Sequence, residues 1–186
     1  NTNSIEMSIN KGGYIVPKVD FSTCTNCGLC VKVCPSINNY LPEKIEDPFV
    51  GNIIGSYIGY ASDKEIRQKS QSGGIVSALL TFMLDSGKID IGIINKFDAS
   101  IERNIIFPAF NKNDVIDGCG SYYCQSPVVS DSVIKSDNRK YAVVCLGCQS
   151  NAFENLNRYY KKANLPTYKI GLFCAGNYST EYIKAI

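Results

Sequence analysis

Apolar positions along this chain fall into two regimes. Ile5 and Met7 precede a Gly12-Gly13 turn and Tyr14-Ile15-Val16 follows it, a spacing that predicts two short strands near the start. Residues 36–55 shift to Asn, Pro and Gly, with Pro42 and Pro48, and read as a linker or wrapping arm. Beyond it the pattern becomes that of an α/β protein. Residues 56–61 (SYIGYA) predict a strand. Residues 74–86 carry Ile75, Leu79, Phe82 and Met83 on one helical face and stop at Gly87, and residues 89–94 predict another strand, completing a βαβ unit. Residues 104–110 are a further apolar run, and residues 118–127 (GCGSYYCQSP) read as a loop. A second unit follows, with a strand over 141–146 (YAVVCL), a helix over 149–162 and a strand over 167–173 (TYKIGLF). A strand, helix and strand of these lengths imply a parallel pair joined by a right-handed crossover.

That pairing has a chemical consequence. In open parallel sheets, ligands sit beyond the carboxyl ends of the strands. Cys145 and Cys148 follow one such strand, and Cys174, Ala175 and Gly176 follow its expected neighbour, so Cys148 and Cys174 are predicted to meet on the functional edge. Ser72, Gly73 and Gly74 open the first helix, where free backbone amides suit a phosphate. The same three residues are also an ordinary helix entry. They match neither the GxGxxG dinucleotide fingerprint nor a P-loop.

The strongest motif is CTNCGLCVKVCP, from Cys24 to Pro35. Four cysteines spaced CxxCxxCxxxC and followed by proline are the bacterial ferredoxin run, whose thiolates ligate [4Fe-4S] cubes. Cys24, Cys27 and Cys30 suit three corners of one cube, because a tight loop wraps it. The fourth cysteine of such a run, here Cys34, serves the other cube in two-cluster ferredoxins. The competing reading is structural zinc, which usually takes two separated CxxC pairs rather than three cysteines in seven residues. Cys145-Leu-Gly-Cys148 is open to several readings: a redox pair, metal ligands or buried packing. Cys119 and Cys124 fit no standard cluster spacing and read as packing or free thiols. The fold class is therefore α/β, with a mixed or parallel sheet built from βαβ units, preceded by a small ferredoxin-like α+β segment. The expected division is 1–40 for that segment, 41–55 for the linker and 56–186 for the α/β domain.

Composition removes several alternatives. The nine cysteines are clustered rather than scattered, which favours metal thiolates in a reducing, cytoplasmic setting over a disulfide framework. Histidine is absent, and with it the Ser-His and Cys-His nucleophile pairs and zinc sites of mixed Cys/His type. Lys+Arg and Asp+Glu nearly cancel to +2 with no basic run, so nucleic acid is not an expected partner. No apolar stretch approaches the roughly 20 residues that a membrane-spanning helix needs. Tyr122, Tyr123, Tyr159 and Tyr160 read as core or surface aromatics, and carry no assignment alone.

Several stretches together resemble the beta-subunit family of coenzyme F420 hydrogenases and dehydrogenases. Gly13 through Pro17 to Cys34-Pro35 resembles the link and second half of the family's two-cluster ferredoxin. Residues 71–80 (QSGGIVSALL) resemble its SGG helix entry. Gly120-Ser121, Tyr123 and Gln125-Ser126 resemble the GSKYxQS loop, Cys148-Gln149 the PCQ turn, and Phe173-Cys174-Ala175-Gly176 the CxG strand end. Tyr122 stands where the loop has lysine, and Gly147 where the turn has proline.

The resemblance implies an iron-sulfur flavoprotein oxidoreductase. A flavin, FAD, in the α/β domain exchanges electrons with [4Fe-4S] clusters, a redox partner protein or subunit, and a small-molecule acceptor or donor such as coenzyme F420. It implies that Cys148 and Cys174 contribute to a second metal site, and that Ser72, Gly73 and Gly74 meet the flavin phosphate. It further implies an earlier cysteine run ahead of Asn1, supplying the remaining cube ligands, and further cysteines beyond Ile186. The alternatives are a non-catalytic ferredoxin-type electron carrier and a structural zinc module.

Overall fold

The computed structural model describes residues 3–39, 47, 51–130, 139–160, 165–179 and 181–182. The first expected hairpin is present: β1 (Ile5–Ile9) pairs antiparallel with β2 (Ile15–Val19), Ile5 opposite Val19 and Ile9 opposite Ile15. The turn is closed by the Asn10 side chain, whose Oδ1 accepts from the N–H groups of Gly12 and Tyr14 at 2.9 and 3.0 Å. A short helix α1 (Leu29–Val33) follows within the cysteine run. Most of the expected linker, residues 41–46 and 48–50, lies outside the described residues.

The remainder is a four-stranded sheet in the order β4-β3-β5-β6 with helices on both faces. Helices α2 (Lys64–Lys69) and α3 (Ile75–Asp85) lead into β3 (Ile91–Asp98), which turns back antiparallel into β4 (Arg103–Ala109). After α4 (Lys112–Asp117) the chain returns through β5 (Tyr141–Leu146), α5 (Gly147–Tyr159) and β6 (Tyr168–Leu172). Strands β3, β5 and β6 are mutually parallel. The expected β5-α5-β6 unit is therefore present and the sheet is mixed. The helix expected over 149–162 ends at Tyr159, and residues 161–164 lie outside the described residues.

Two expectations are corrected. Residues 56–61 form no strand, so the first βαβ unit does not exist; the segment instead crosses the entry of α3, with the Ala61 N–H donating to the Gly73 carbonyl at 2.6 Å. An apolar run becomes a strand only if a neighbour takes its backbone groups, and Tyr57 and Ile58 are left almost fully exposed. The buried face of α3 also differs. Leu80 and Met83 are buried, while Ile75, Leu79 and Phe82 lie at 41–57 % exposure. The helix is apolar on more than one side, so its periodicity alone could not choose which side meets the sheet.

Alternation in β5 sorts the core onto two faces. Tyr141, Val143 and Cys145 pack with Phe153 and Leu156 of α5, while Ala142 and Val144 pack with Leu80 and Met83 of α3 and Val115 of α4. Gly92 lets α3 close on the sheet, since a Cβ there would meet Leu80 Cδ2 at 3.3 Å.

Candidate functional site

The site begins where the sheet forks. Register between β3 and β5 runs only from Ile91–Tyr141 to Ile93–Val143; beyond it β3 stays with β4 and β5 stays with β6. Chain order also switches side between these strands, the place where open α/β sheets bind ligands. A cleft of about 980 Å³ fills the fork, lined by Ile94 and Asn95 on one side and Val144, Cys145 and Leu146 on the other. Its rim is built from residues 70–77, 118–124 and 172–178. Walls that are mostly apolar with a few inward polar groups are the usual make-up of a small-molecule site. Asn95 supplies one such group: its Oδ1 is buried and has no hydrogen-bond partner among the described residues.

Ser72, Gly73 and Gly74 lie on this rim at the entry to α3, whose first turn no side chain caps. The glycines are there for packing first. A Cβ on Gly73 would meet the Gly59 carbonyl oxygen at 3.1 Å, and Gly74 has φ 76 with Ile66 and Ala61 within 3.3 Å of a Cβ. Ile75, Val76 and Ser77, the first turn of the eleven-residue α3, line the cleft at the positive end of the helix dipole.

The loop after α4 forms the adjoining part of the rim. Cys119 Sγ lies 3.3 Å from Ser77 Oγ and 3.6 Å from Ser70 Oγ, and the Ser121 N–H donates to Gln71 Oε1 at 2.9 Å. Tyr122 stacks on Phe97 with ring centres 6.4 Å apart. Asn104, fully buried, donates from Nδ2 to the Cys124 carbonyl and to Ser126 Oγ, both at 2.9 Å. Gln149 closes the arrangement, accepting from the Leu146 N–H at 2.8 Å and donating from Nε2 to the Ser126 carbonyl at 3.0 Å.

The cysteines singled out from the sequence do not gather in one place. Cys174 lines the main cleft, whereas Cys148 lines a neighbouring recess of about 200 Å³ with Pro35, Gln149 and Ala152. Each stands two positions past the last register pair, Leu146–Leu172, so both occupy the strand-end edge but open to different cavities. Cys145 is buried in the core, and burial pushes its thiol up to about 11, with the Lys169 ammonium opposing and the Cys148 thiol adding to the rise.

Cys24, Cys27, Cys30 and Cys34 sit on the loop around α1, with Asn26 and Gly28 in the left-handed region, which turns the chain tightly between the cysteines. Cys27 and Cys30 are exposed and Cys24 and Cys34 half-buried. The Cys27 thiol is held below its ordinary range by the Leu29 N–H and then by the Thr25 hydroxyl, both favouring the thiolate that a metal requires. Among the described residues no three His, Cys, Asp or Glu converge as they would on one ion. Soft donors set apart on a tight loop fit a cube, which takes one thiolate at each corner.

Cys119, Asn95, Asn104 and Asn155 were not marked out by motif. The available signal was a polar residue inside an apolar run, as in Asn104 of RNIIF and Asn155 of AFENL.

No helix among the described residues is long and apolar enough to cross a membrane. Residues 56–135 match the family description "Coenzyme F420 hydrogenase/dehydrogenase, beta subunit N-term", residues 138–186 match the C-terminal half of the same family, and residues 17–36 match "4Fe-4S binding domain". Among curated proteins, the chain is 35 % identical over 147 residues to the coenzyme F420 hydrogenase subunit beta of Methanococcus voltae, covering 75 % of this chain and 51 % of that protein. It is 27 % identical over 151 residues to its counterpart in Methanosarcina barkeri, with 76 % and 51 % covered. A chain of the F420-reducing [NiFe] hydrogenase complex from M. barkeri superposes with a TM-score of 0.62 at 28 % identity, covering 77 % of this chain and 52 % of that one. The chain thus spans about half the length of the hydrogenase subunits it matches. With both family halves matched in order behind a 4Fe-4S segment, the chain belongs to the coenzyme F420 hydrogenase/dehydrogenase beta-subunit family.

Proposed function

We propose that this chain is an iron-sulfur flavoprotein oxidoreductase module of the cytoplasm. In this reading [4Fe-4S] clusters on the N-terminal segment exchange electrons with a flavin, FAD, in the forked cleft. The further redox partner is a small-molecule acceptor or donor, coenzyme F420 among them, or another subunit. The observation that carries the reading is the fork itself: a cleft at the strand-end edge whose wall residue Gln149 starts the same helix that holds the cysteine segment, through Asn151 and Asn155.

Cys24, Cys27, Cys30 and Cys34 would hold cube irons, and Cys148 and Cys174 are the candidates for a second metal site. Ser72, Gly73 and Gly74 with the first turn of α3 would take the flavin phosphate. Asn95 Oδ1 offers an acceptor to an N–H of the ligand, and Leu80, Ile94 and Val144 keep water from it. A bound flavin supplies the step between hydride and single-electron chemistry. The chain's own part is to fix the two groups near one another, and to set their potentials by hydrogen bonding and burial.

The test is anaerobic purification of the full-length protein. The expected product is brown, contains iron, acid-labile sulfide and flavin, and gives reducible cube signals in paramagnetic resonance; Asn95→Leu weakens flavin retention while leaving iron content unchanged. Cubes without flavin would replace this reading with that of an electron carrier. A colourless protein containing zinc would overturn it.

A further inference from the structure

A buried amide lies at the centre of the contact between the cysteine segment and the α/β part. Asn155 of α5 is 1 % exposed, and its Nδ2 donates to the Asn38 carbonyl at 2.6 Å and, more weakly, to the Val33 carbonyl at 3.4 Å. These two carbonyls bracket Cys34-Pro35. Val33 is the last residue of α1, and its carbonyl has no further helical turn to pair with. The Cys34 carbonyl meanwhile accepts from the Ile37 and Asn38 N–H groups at 3.2 and 2.8 Å, so the bracketed stretch is a closed turn. Around it, Val33 packs on the Phe153–Leu156 core, Pro35 enters the recess beside Cys148, Lys32 lies over the Tyr159 ring at 5.9 Å, and Asn151 Nδ2 donates to Asn39 Oδ1 at 2.5 Å.

We propose that Asn155 is a positioning residue. It holds the Cys34-Pro35 turn against α5, so that the group carried by the cysteine loop stays at one place and one degree of burial beside the cleft. A donor is required here: an apolar side chain of equal volume would leave two half-buried carbonyls facing it unpaired, a state that favours detachment of the turn. The α/β core would not change, because Asn155 gives these two bonds to the segment rather than to the sheet. The inference rests on the cube reading above, since cluster potential responds to solvent exposure.

The experiment compares anaerobically purified full-length wild type with Asn155→Leu, and with Asn151→Ala at the exposed rim, where folding is not at stake. Hydrogen exchange should accelerate about tenfold over 29–39 in Asn155→Leu, the equivalent of one lost buried hydrogen bond, and by less in Asn151→Ala. Exchange in β3 and β5 should stay unchanged. Iron content should hold while the cluster midpoint potential shifts, a change that simple loss of stability would not cause. Unchanged exchange over 29–39 and an unchanged potential in both variants would overturn the proposal. Should Asn155→Leu not fold, absence of both shifts in Asn151→Ala would do so alone. Wild type without cubes is a different outcome: it removes the cube reading, and leaves the exchange comparison to decide the docking.

Discussion

The backbone N–H of Ile15 donates to Gln125 Oε1 at 2.5 Å, joining residues 110 positions apart. Gln125 sits between Cys124 and Ser126, which line the cleft, so one loop carries a cleft wall on one side and the hairpin on the other. Two-stranded hairpins are marginal alone, and this bond ties this one to the loop beside the cleft. Gln125→Ala should cost about 0.5–1.5 kcal/mol in urea unfolding. Its exchange signature should be confined to residues 5–19 and 120–126.

Glycine at two helix entries separates conformational strain from crowding. Gly28 and Gly74 have φ 69 and 76, but a Cβ on Gly28 meets nothing within 4 Å whereas one on Gly74 meets Ser70 Oγ, Ile66 and Ala61 at 3.1–3.3 Å. Gly28→Ala should therefore cost only the left-handed penalty of about 1–2 kcal/mol. Gly74→Ala should add about 1–3 kcal/mol for overpacking. Thermal denaturation of the two variants checks the order, and a larger loss at Gly28 would contradict it.

Cys145 and Cys174 should respond differently to alkylating reagents. Cys174 is exposed and should react first at neutral pH, while Cys145 is buried with its thiol pushed up to about 11 and should resist until the pH approaches that value. The unfolded chain ionises from the ordinary 9.0, so ionisation favours unfolding. The contribution of Cys145 to stability is complete below about pH 9 and declines as the pH rises toward 11. Peptide mapping after labelling at stepped pH reads the order, and a Cys145→Ala control removes the part of the alkaline decline that begins near pH 9.

Lys112 links α4 to α2, its Nζ lying 2.7 Å from Asp63 and 3.0 Å from Glu65. The Asp63 carboxyl is held below its ordinary value, first by its bond from Lys112 and then by the Ile66 N–H that it caps. Lys112 is held above its ordinary value by the same pair. The Asp63 contribution is therefore present above the unfolded value of 3.8 and lost as the pH falls through its lower folded value. The Lys112 contribution is present below 10.5 and lost as the pH rises through its higher folded value. These groups are partly exposed, so Lys112→Met should produce a small loss near neutral pH that added salt removes.

Much of the α/β part was legible because its elements are local. Residues 141–146 are apolar without a break, as a strand covered on both faces must be, and the crossover length made β5 and β6 parallel. The 4Fe-4S segment was legible because the spacing of its cysteines is written in consecutive residues. Residues 56–61 misled because exposed and paired apolar runs look alike until a neighbour is identified. The short helices α1, α2 and α4, of five or six residues, carry too little periodicity to announce themselves.

By itself, then, the chain determined its cysteine run and its βαβ unit, since motif spacing and strand-helix alternation are written in consecutive residues. Only tertiary structure decided where the sheet forks, which face of α3 is buried, and that Cys148 and Cys174 open to separate cavities on one edge. It alone set Gln149, Gln125 and Asn155 between segments far apart in sequence. The physical reason is the same in each case: a buried amide or an apolar face has no preferred partner until the groups it must satisfy are brought beside it.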